Sequence, residues 1–244
     1  MGGAGMRMPD IRLPEGVGFH ADDNAGRVAR ALASTVADVL ASRLEQASRA
    51  SLVVSGGSTP LPFFKALSDA DLDWSRVDVV LADERWVPEG DPASNTTLVR
   101  NNLLVGRAAK ARYLALKQPG EIPDQGLEAV RQALSVLVLP VDVVILGMGN
   151  DGHTASLFPD APELPEAMDE FNTGLVAAMT PESQPQPRVT LTRAVLAQAR
   201  FTALHLKGED KLDTLRRACS ALDDVFAMPV RAFLKPGLEV FWSP

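Results

Sequence analysis

Three short apolar runs in this chain each stop at a cluster of glycines or charged residues, and this pattern constrains the fold more than any other feature. Leu52–Val54 runs into Ser55-Gly56-Gly57-Ser58-Thr59-Pro60. Val77–Leu81 runs toward Asp83-Glu84-Arg85. Val141–Leu146 runs into Gly147-Met148-Gly149-Asn150-Asp151-Gly152-His153. Short apolar runs with no polar alternation suit strands covered on both faces, as in parallel sheets flanked by helices. The segments between them carry helix signals. Val28, Leu32, Val36, Leu40 and Leu44 recur every four residues behind the capping residues Asp22, Asp23 and Asn24, which predicts a long amphipathic helix. Pro60 and the residues through Leu67 suit the first turns of a second helix. Ser94 or Asn95 caps a third that runs through Leu103, and Asp124–Leu137 and Gly208–Ala218 read as two more. Val189–Leu191, Phe201–Leu206 and Leu238–Trp242 read as further strands. Residues 159–187, rich in Pro, Glu and Ala, read as a long excursion with some helix. The predicted class is α/β, a mostly parallel sheet flanked by helices.

The 244 residues suffice for one large core. Residues 1–19 read as a poorly ordered start, and no linker divides residues 20–244, which read as a single domain. The formal net charge of −7 repels phosphate backbones, so no nucleic-acid partner is expected, although a local basic pocket remains compatible with it. Cys219 is the only cysteine, which excludes an intrachain disulfide and a thiolate metal cluster. His20, His153 and His205 lack metal-ligand spacing, so no metal site is expected. The most apolar stretch, Leu134–Met148, is broken by Ser135, Pro140 and Asp142, so no membrane helix is expected. Residues 1–12 lack the apolar core of a signal peptide, and the expected location is cytoplasmic.

In open parallel sheets, ligands bind beyond the carboxyl ends of the strands. All three polar clusters fall there. Ser55, Gly56, Gly57, Ser58 and Thr59 form a strand-to-helix turn where glycines and free N–H groups can approach an anion. No Gly-Lys-Ser/Thr follows, so the turn is not a P-loop. Gly147, Gly149 and Gly152 spell G-x-G-x-x-G, but no acidic residue follows where a ribose would need one, so a dinucleotide site is not the reading. The telling part is Asp151-Gly152-His153. A histidine at a strand end can act as acid or base near neutrality, and Asp151 can orient it. Arg85 can fork onto a phosphate or a developing oxyanion, with an ion pair inside the Asp83–Arg85 triplet as the competing structural role. Arg188 and Lys211 are further basic candidates. Lys211 stands at a helix start against the macrodipole, which hints at an anionic ligand. His205, alternating within an apolar strand, reads as structural. His20 has no convergent partner in the sequence. Cys219 and Met148 read as packing residues.

Together these segments resemble one family, the 6-phosphogluconolactonases. The matching stretches are Ser55–Pro60, Asp83–Pro88 with Ser94-Asn95, Leu146–Pro159, Arg188–Thr192 and Gly208–Lys211. They stand in family order over residues 20–244, and Gly147–Pro159 is the most specific. The resemblance implies an α/β, Rossmann-like fold similar to that of the glucosamine-6-phosphate deaminases. It implies hydrolysis of 6-phosphoglucono-1,5-lactone to 6-phosphogluconate in the pentose phosphate pathway, with no required metal or cofactor. It makes His153 the general base and gives the phosphate to Arg85, Lys211 and the Ser55–Thr59 loop. Many members carry Asn near Ala197 and Thr at the position of Lys207, where this chain departs. Monomer and homodimer both remain open. The rival readings are a glucosamine-6-phosphate deaminase or isomerase, and a non-catalytic sugar-phosphate sensor. After the histidine, deaminases typically continue Ala-Phe-Asn-Glu-Pro, where this chain has Thr154-Ala155-Ser156-Leu157-Phe158-Pro159. A sensor would usually add a DNA-binding segment, and none precedes residue 20.

Overall fold

The computed structural model describes residues 8–244. Its strands are β1 (Gly18–Ala21), β2 (Ala50–Val54), β3 (Val77–Leu81), β4 (Asp83–Arg85), β5 (Arg112–Leu114), β6 (Val143–Leu146), β7 (Val176–Met179), β8 (Arg188–Leu191), β9 (Phe201–Lys207) and β10 (Leu238–Ser243). Its α-helices are α1 (Ala25–Gln46), α2 (Leu61–Ser68), α3 (Asn95–Asn102), α4 (Pro123–Leu134), α5 (Leu164–Ala167), α6 (Arg193–Leu196) and α7 (Glu209–Cys219).

Seven strands form one parallel sheet in the order β1-β10-β9-β6-β2-β3-β5. The chain winds outward from β2 through β3 to β5, returns to β6 on the other side of β2, and winds outward again. The reversal lies between β2 and β6, and the carboxyl ends of those two strands open a crevice. β2, β3 and β6 are buried along their whole length, including the polar Ser51 of β2 and Asp78 of β3. The long helix is α1, capped by Asn24, whose side chain accepts the Arg27 N–H at 3.0 Å. Its stripe buries Val28, Leu32, Val36 and Leu40, while Leu44 is half-buried. Each such side chain contributes about 1.5–3 kcal/mol of burial.

Four strands differ from the sequence reading. A second sheet, antiparallel and ordered β4-β8-β7, stands beside the first. The Asp83–Arg85 cluster, read as polar residues following a strand, is itself a strand, and β7 lies inside the stretch read as an excursion with some helix. Residues 1–7 lie outside the described residues. Within the rest of the segment expected to be poorly ordered, Ile11, Leu13 and Val17 pack on the core, and β1 pairs with β10 from Gly18 onward. Phe19 stacks on Trp242 with ring centroids 6.4 Å apart, so residues 18 and 19 belong to the sheet. β5 is also additional.

Two ionic clusters sit at the amino end of the sheet. Asp78 binds Arg49 and Arg112, each at 2.7 Å. Asp142 receives the Ser51 N–H at 2.8 Å and faces Arg43 and Arg200 at 3.0 and 3.3 Å. Burial pushes the Asp78 carboxyl up, but the two guanidiniums more than reverse this and hold it below the usual range. No helix among the described residues is long and apolar enough to cross a membrane.

Candidate active site

A cleft of about 370 Å³ opens at the β2–β6 crevice, a size suited to a small ligand. Ser55, Gly56, Gly57, Ser58, Thr59, Arg85, His153, Arg188 and Lys211 all line it. Asp151 stands behind the His153 ring.

The loop after β6 sets the histidine. Its turn is closed by the Gly152 N–H donating to Gly149 O, by the Gly149 N–H donating to His153 O, both at 2.9 Å, and by Thr154 Oγ1 donating to Gly147 O at 2.8 Å. Gly152 adopts φ +82°, in the left-handed region. A Cβ on Gly149 would lie 2.1 Å from two ring atoms of His153, so only glycine leaves room for the ring there. His153 Nδ1 lies 2.6 Å from Asp151 Oδ1, and the same oxygen accepts the His153 backbone N–H at 3.0 Å. The carboxylate accepts, so Nδ1 carries the proton and Nε2 holds the free lone pair. Burial pushes the Asp151 carboxyl up. The neighbouring imidazole, by hydrogen bond and charge, overrides burial and holds it below the usual carboxylate range. The opposite restraint is Phe158, stacked on the ring with centroids 4.0 Å apart.

The second sheet supplies two guanidiniums. In the antiparallel β4–β8 pair, Arg85 stands opposite Arg188. Like charges directly opposite repel. Arg188 is buried, 3.8 Å from Asp83, with its guanidinium over the Phe158 ring. Burial pushes the Arg188 pKa down against the pull of Asp83. Arg85 donates to Ala93 O at 2.8 Å. Both Nε atoms are buried without a partner. The ion pair considered within Asp83–Arg85 is not formed. Glu84 instead accepts the N–H groups of Arg85 and Asn95 at 2.8 Å and of Thr96 at 2.7 Å, and burial pushes its carboxyl up.

In the first loop, Ser55 Oγ donates to Ile145 O at 2.9 Å, so its hydroxyl ties β2 to β6. A Cβ on Gly56 would meet Asn95 Oδ1 at 2.1 Å, while Gly57 has φ +94° and open space around it. Lys211, in the first turn of α7, donates to Asn150 Oδ1 at 2.8 Å, and Arg217 donates to Asn150 O at 2.7 Å. These bonds pin α7 to the histidine loop.

Sequence reasoning did not single out Asp83, Asn95, Lys207 and His205 as wall residues. The β9 alternation, which puts 205 and 207 on one face, is the signal that links the last two. His205 does fill a structural position, edge-on to Phe63, but it also lines the cleft. Burial lowers its pKa to about 4. His20, for which no partner was expected, lies 2.6 Å from Glu239 Oε2 and stacks on Phe241, because β1 pairs with β10 outside the cleft. Met148 is buried and Cys219 half-buried. Ala197 accepts the Lys235 ammonium and is not among the cleft walls. Among the described residues, no group of three His, Cys, Asp or Glu side chains could hold a metal ion.

The cleft thus gathers four cations, Arg85, Arg188, Lys207 and Lys211, with Asp83 as the one carboxylate in its wall. This excess of positive charge suits an anionic ligand, and the His153 ring stands in the same wall. Residues 23–242 match the family model described as glucosamine-6-phosphate isomerases/6-phosphogluconolactonase. The chain belongs to this family. A 6-phosphogluconolactonase of Pseudomonas aeruginosa is 48% identical over 239 residues, covering 98% of this chain and all of the relative. One of Pseudomonas putida is 43% identical over the full length of both. The crystal structure of a 6-phosphogluconolactonase from Shewanella baltica superposes with a TM-score of 0.91 at 42% identity, covering 96% of this chain and all of that one. The family's shared parts therefore extend over both sheets of this chain, including the β4–β8 pair that brings Arg85 and Arg188 together.

Proposed function

We propose that this chain hydrolyses 6-phosphoglucono-1,5-lactone to 6-phosphogluconate, with His153 as the general base. The observation that carries the reading is the register of Arg85 against Arg188 beside an Asp-held imidazole. Two repelling guanidiniums at one end of the cleft call for an anion. The free Nε2 of His153 calls for a proton.

The chemistry follows from these placements. His153 Nε2 takes a proton from water as the water oxygen bonds to the lactone carbonyl carbon. Asp151 stabilises the resulting imidazolium. The carbonyl oxygen becomes an oxyanion, and Arg85 or N–H groups of the glycine turns offset its charge. The bond from the carbonyl carbon to the ring oxygen then breaks, and the imidazolium returns its proton to that oxygen. One water is added and no other reactant is consumed. Ser58, Thr59 and Lys211 hold the phosphoryl group, with Arg188 adding positive charge. Anchoring the sugar at this remote group turns binding energy into orientation.

Hydrolysis of freshly generated lactone, followed by NMR in EDTA with the spontaneous rate subtracted, tests the reading. His153→Ala is expected to lower kcat about 10²–10⁴-fold, the usual worth of a positioned acid–base. Activity equal to wild type would remove His153 from the mechanism. A wild type that binds the lactone tightly without turnover would favour the sensor. Ammonia release from glucosamine 6-phosphate is expected to be absent, and its appearance would favour the deaminase.

A further inference from the structure

The cleft does not end at Thr59. Ser58, Thr59, His205 and Lys207 also wall a side recess of about 90 Å³, completed by Ala25, Pro62 and Ser243. Strand geometry explains the gathering. His205 and Lys207 project from one face of β9, and Ser243 is the register partner of Lys207 on β10. Ser58 and Thr59 lead into α2, and Ala25 opens α1. The recess and the main cleft therefore share one wall of hydroxyls.

Lys207 is the distinctive member. Its side chain is exposed, and among the described residues it joins no ion pair or hydrogen bond. Lys211, by contrast, is already tied to Asn150. The family resemblance points to Thr at position 207, a residue with no charge. A phosphate monoester carries close to two negative charges at neutral pH. The hydroxyls of Ser58 and Thr59 are neutral, and Lys211 and Arg188 line the main cleft but not the recess, so on the recess side the ammonium of Lys207 is the cation that faces those hydroxyls.

We propose that Lys207 is a second phosphate-recognising cation, holding the phosphoryl group at Ser58 and Thr59 from the recess side while Lys211 holds it from the cleft side. The proposal takes its ligand from the lactonase reading above and adds a specificity-determining residue to it.

The test compares kcat/KM for 6-phosphoglucono-1,5-lactone with kcat/KM for unphosphorylated glucono-1,5-lactone in the wild type and in Lys207→Met, Lys207→Thr and Lys207→Arg. The ratio is expected to fall about tenfold in the Met and Thr variants, through KM, and to stay within about threefold in the Arg variant. Inorganic phosphate, titrated by phosphorus-31 NMR, provides a readout that needs no turnover, and Lys207→Met is expected to weaken it several-fold. An unchanged ratio in Lys207→Met overturns the proposal. So does an equal loss on both lactones, which marks a role in the fold alone. If the wild type hydrolyses neither lactone, phosphate binding decides. Weakened binding in Lys207→Met then keeps Lys207 as an anion residue while the lactonase reading falls, and unchanged binding overturns both.

Discussion

Single atoms decide whether His153 can work. The Gly149 position leaves no room for a Cβ beside the ring, and the ring cannot retreat far because Phe158 stacks on it. Gly149→Ala is therefore expected to turn the imidazole away from Asp151. Displacement near 1 Å costs about a hundredfold in rate, so kcat should fall by at least that much while circular dichroism stays native. Wild-type activity in this variant would mean that the ring has another workable position. His205 carries a different consequence. Its pKa of about 4 in the fold, lowered by burial, lies below the ordinary value near 6.5. The unfolded chain therefore binds the extra proton first as pH falls. The stabilising effect is complete above about pH 6.5 and is lost progressively toward pH 4, amounting to about 3 kcal/mol. Urea unfolding at pH 7.5 and 5.0 should show this drop in the wild type and a smaller one in His205→Phe. An equal drop in both would remove His205 as its source.

At the scale of elements, the site depends on how β4 is tied to α3. Glu84 is buried and accepts three backbone N–H groups and the Thr96 hydroxyl. Two of those N–H groups open α3, where a carboxylate also complements the helix dipole. Removing it orphans several donors at once, each costing about 1–3 kcal/mol when left without a partner. Glu84→Ala is expected to lower the urea midpoint strongly and to loosen Arg85, the next residue on the strand. A rise in KM in the folded fraction would register that loosening. A stability within about 0.5 kcal/mol of wild type would show that water replaces the carboxylate. The same scale explains the Arg85–Arg188 pair, because an antiparallel register places two distant arginines opposite each other whatever their charges.

Across the whole molecule, the two ends of the parallel sheet divide the work. The carboxyl end carries the glycine turns, the cations and His153. The amino end carries Asp78 and Asp142 with their four arginines. Asp78→Ala would leave Arg49 and Arg112 without their shared buried carboxylate. Both arginines are partly exposed, which moderates the loss to about 2 kcal/mol. Urea unfolding at pH 7 should show that loss, with KM for the lactone unaltered, and a change in KM would refute the division between ends. The sign with pH follows from the depressed Asp78 carboxyl. Its contribution is complete above the unfolded carboxylate value near 4 and is lost as pH falls through the lower folded value.

The local sequence already determined the strand–turn–helix units, the sides of α1 and the positions of the two glycine turns. Each depends on neighbours a few residues apart: apolar runs, four-residue periodicity, caps and glycines. The turn after β6 set Asp151 two residues before His153, but the contact between their side chains was decided by the fold. Other features were closed to local reading because their causes lie far off in the chain. β1 is a strand because β10, more than two hundred residues later, offers it an edge. Arg85 faces Arg188 through strand register across about a hundred residues. Lys207 reaches the Ser58–Thr59 wall because parallel strands bring their carboxyl ends to one side of the sheet. Local propensity acts over one turn or one pleat, whereas the charge of a cleft is a sum over loops that only tertiary packing brings within a few ångströms.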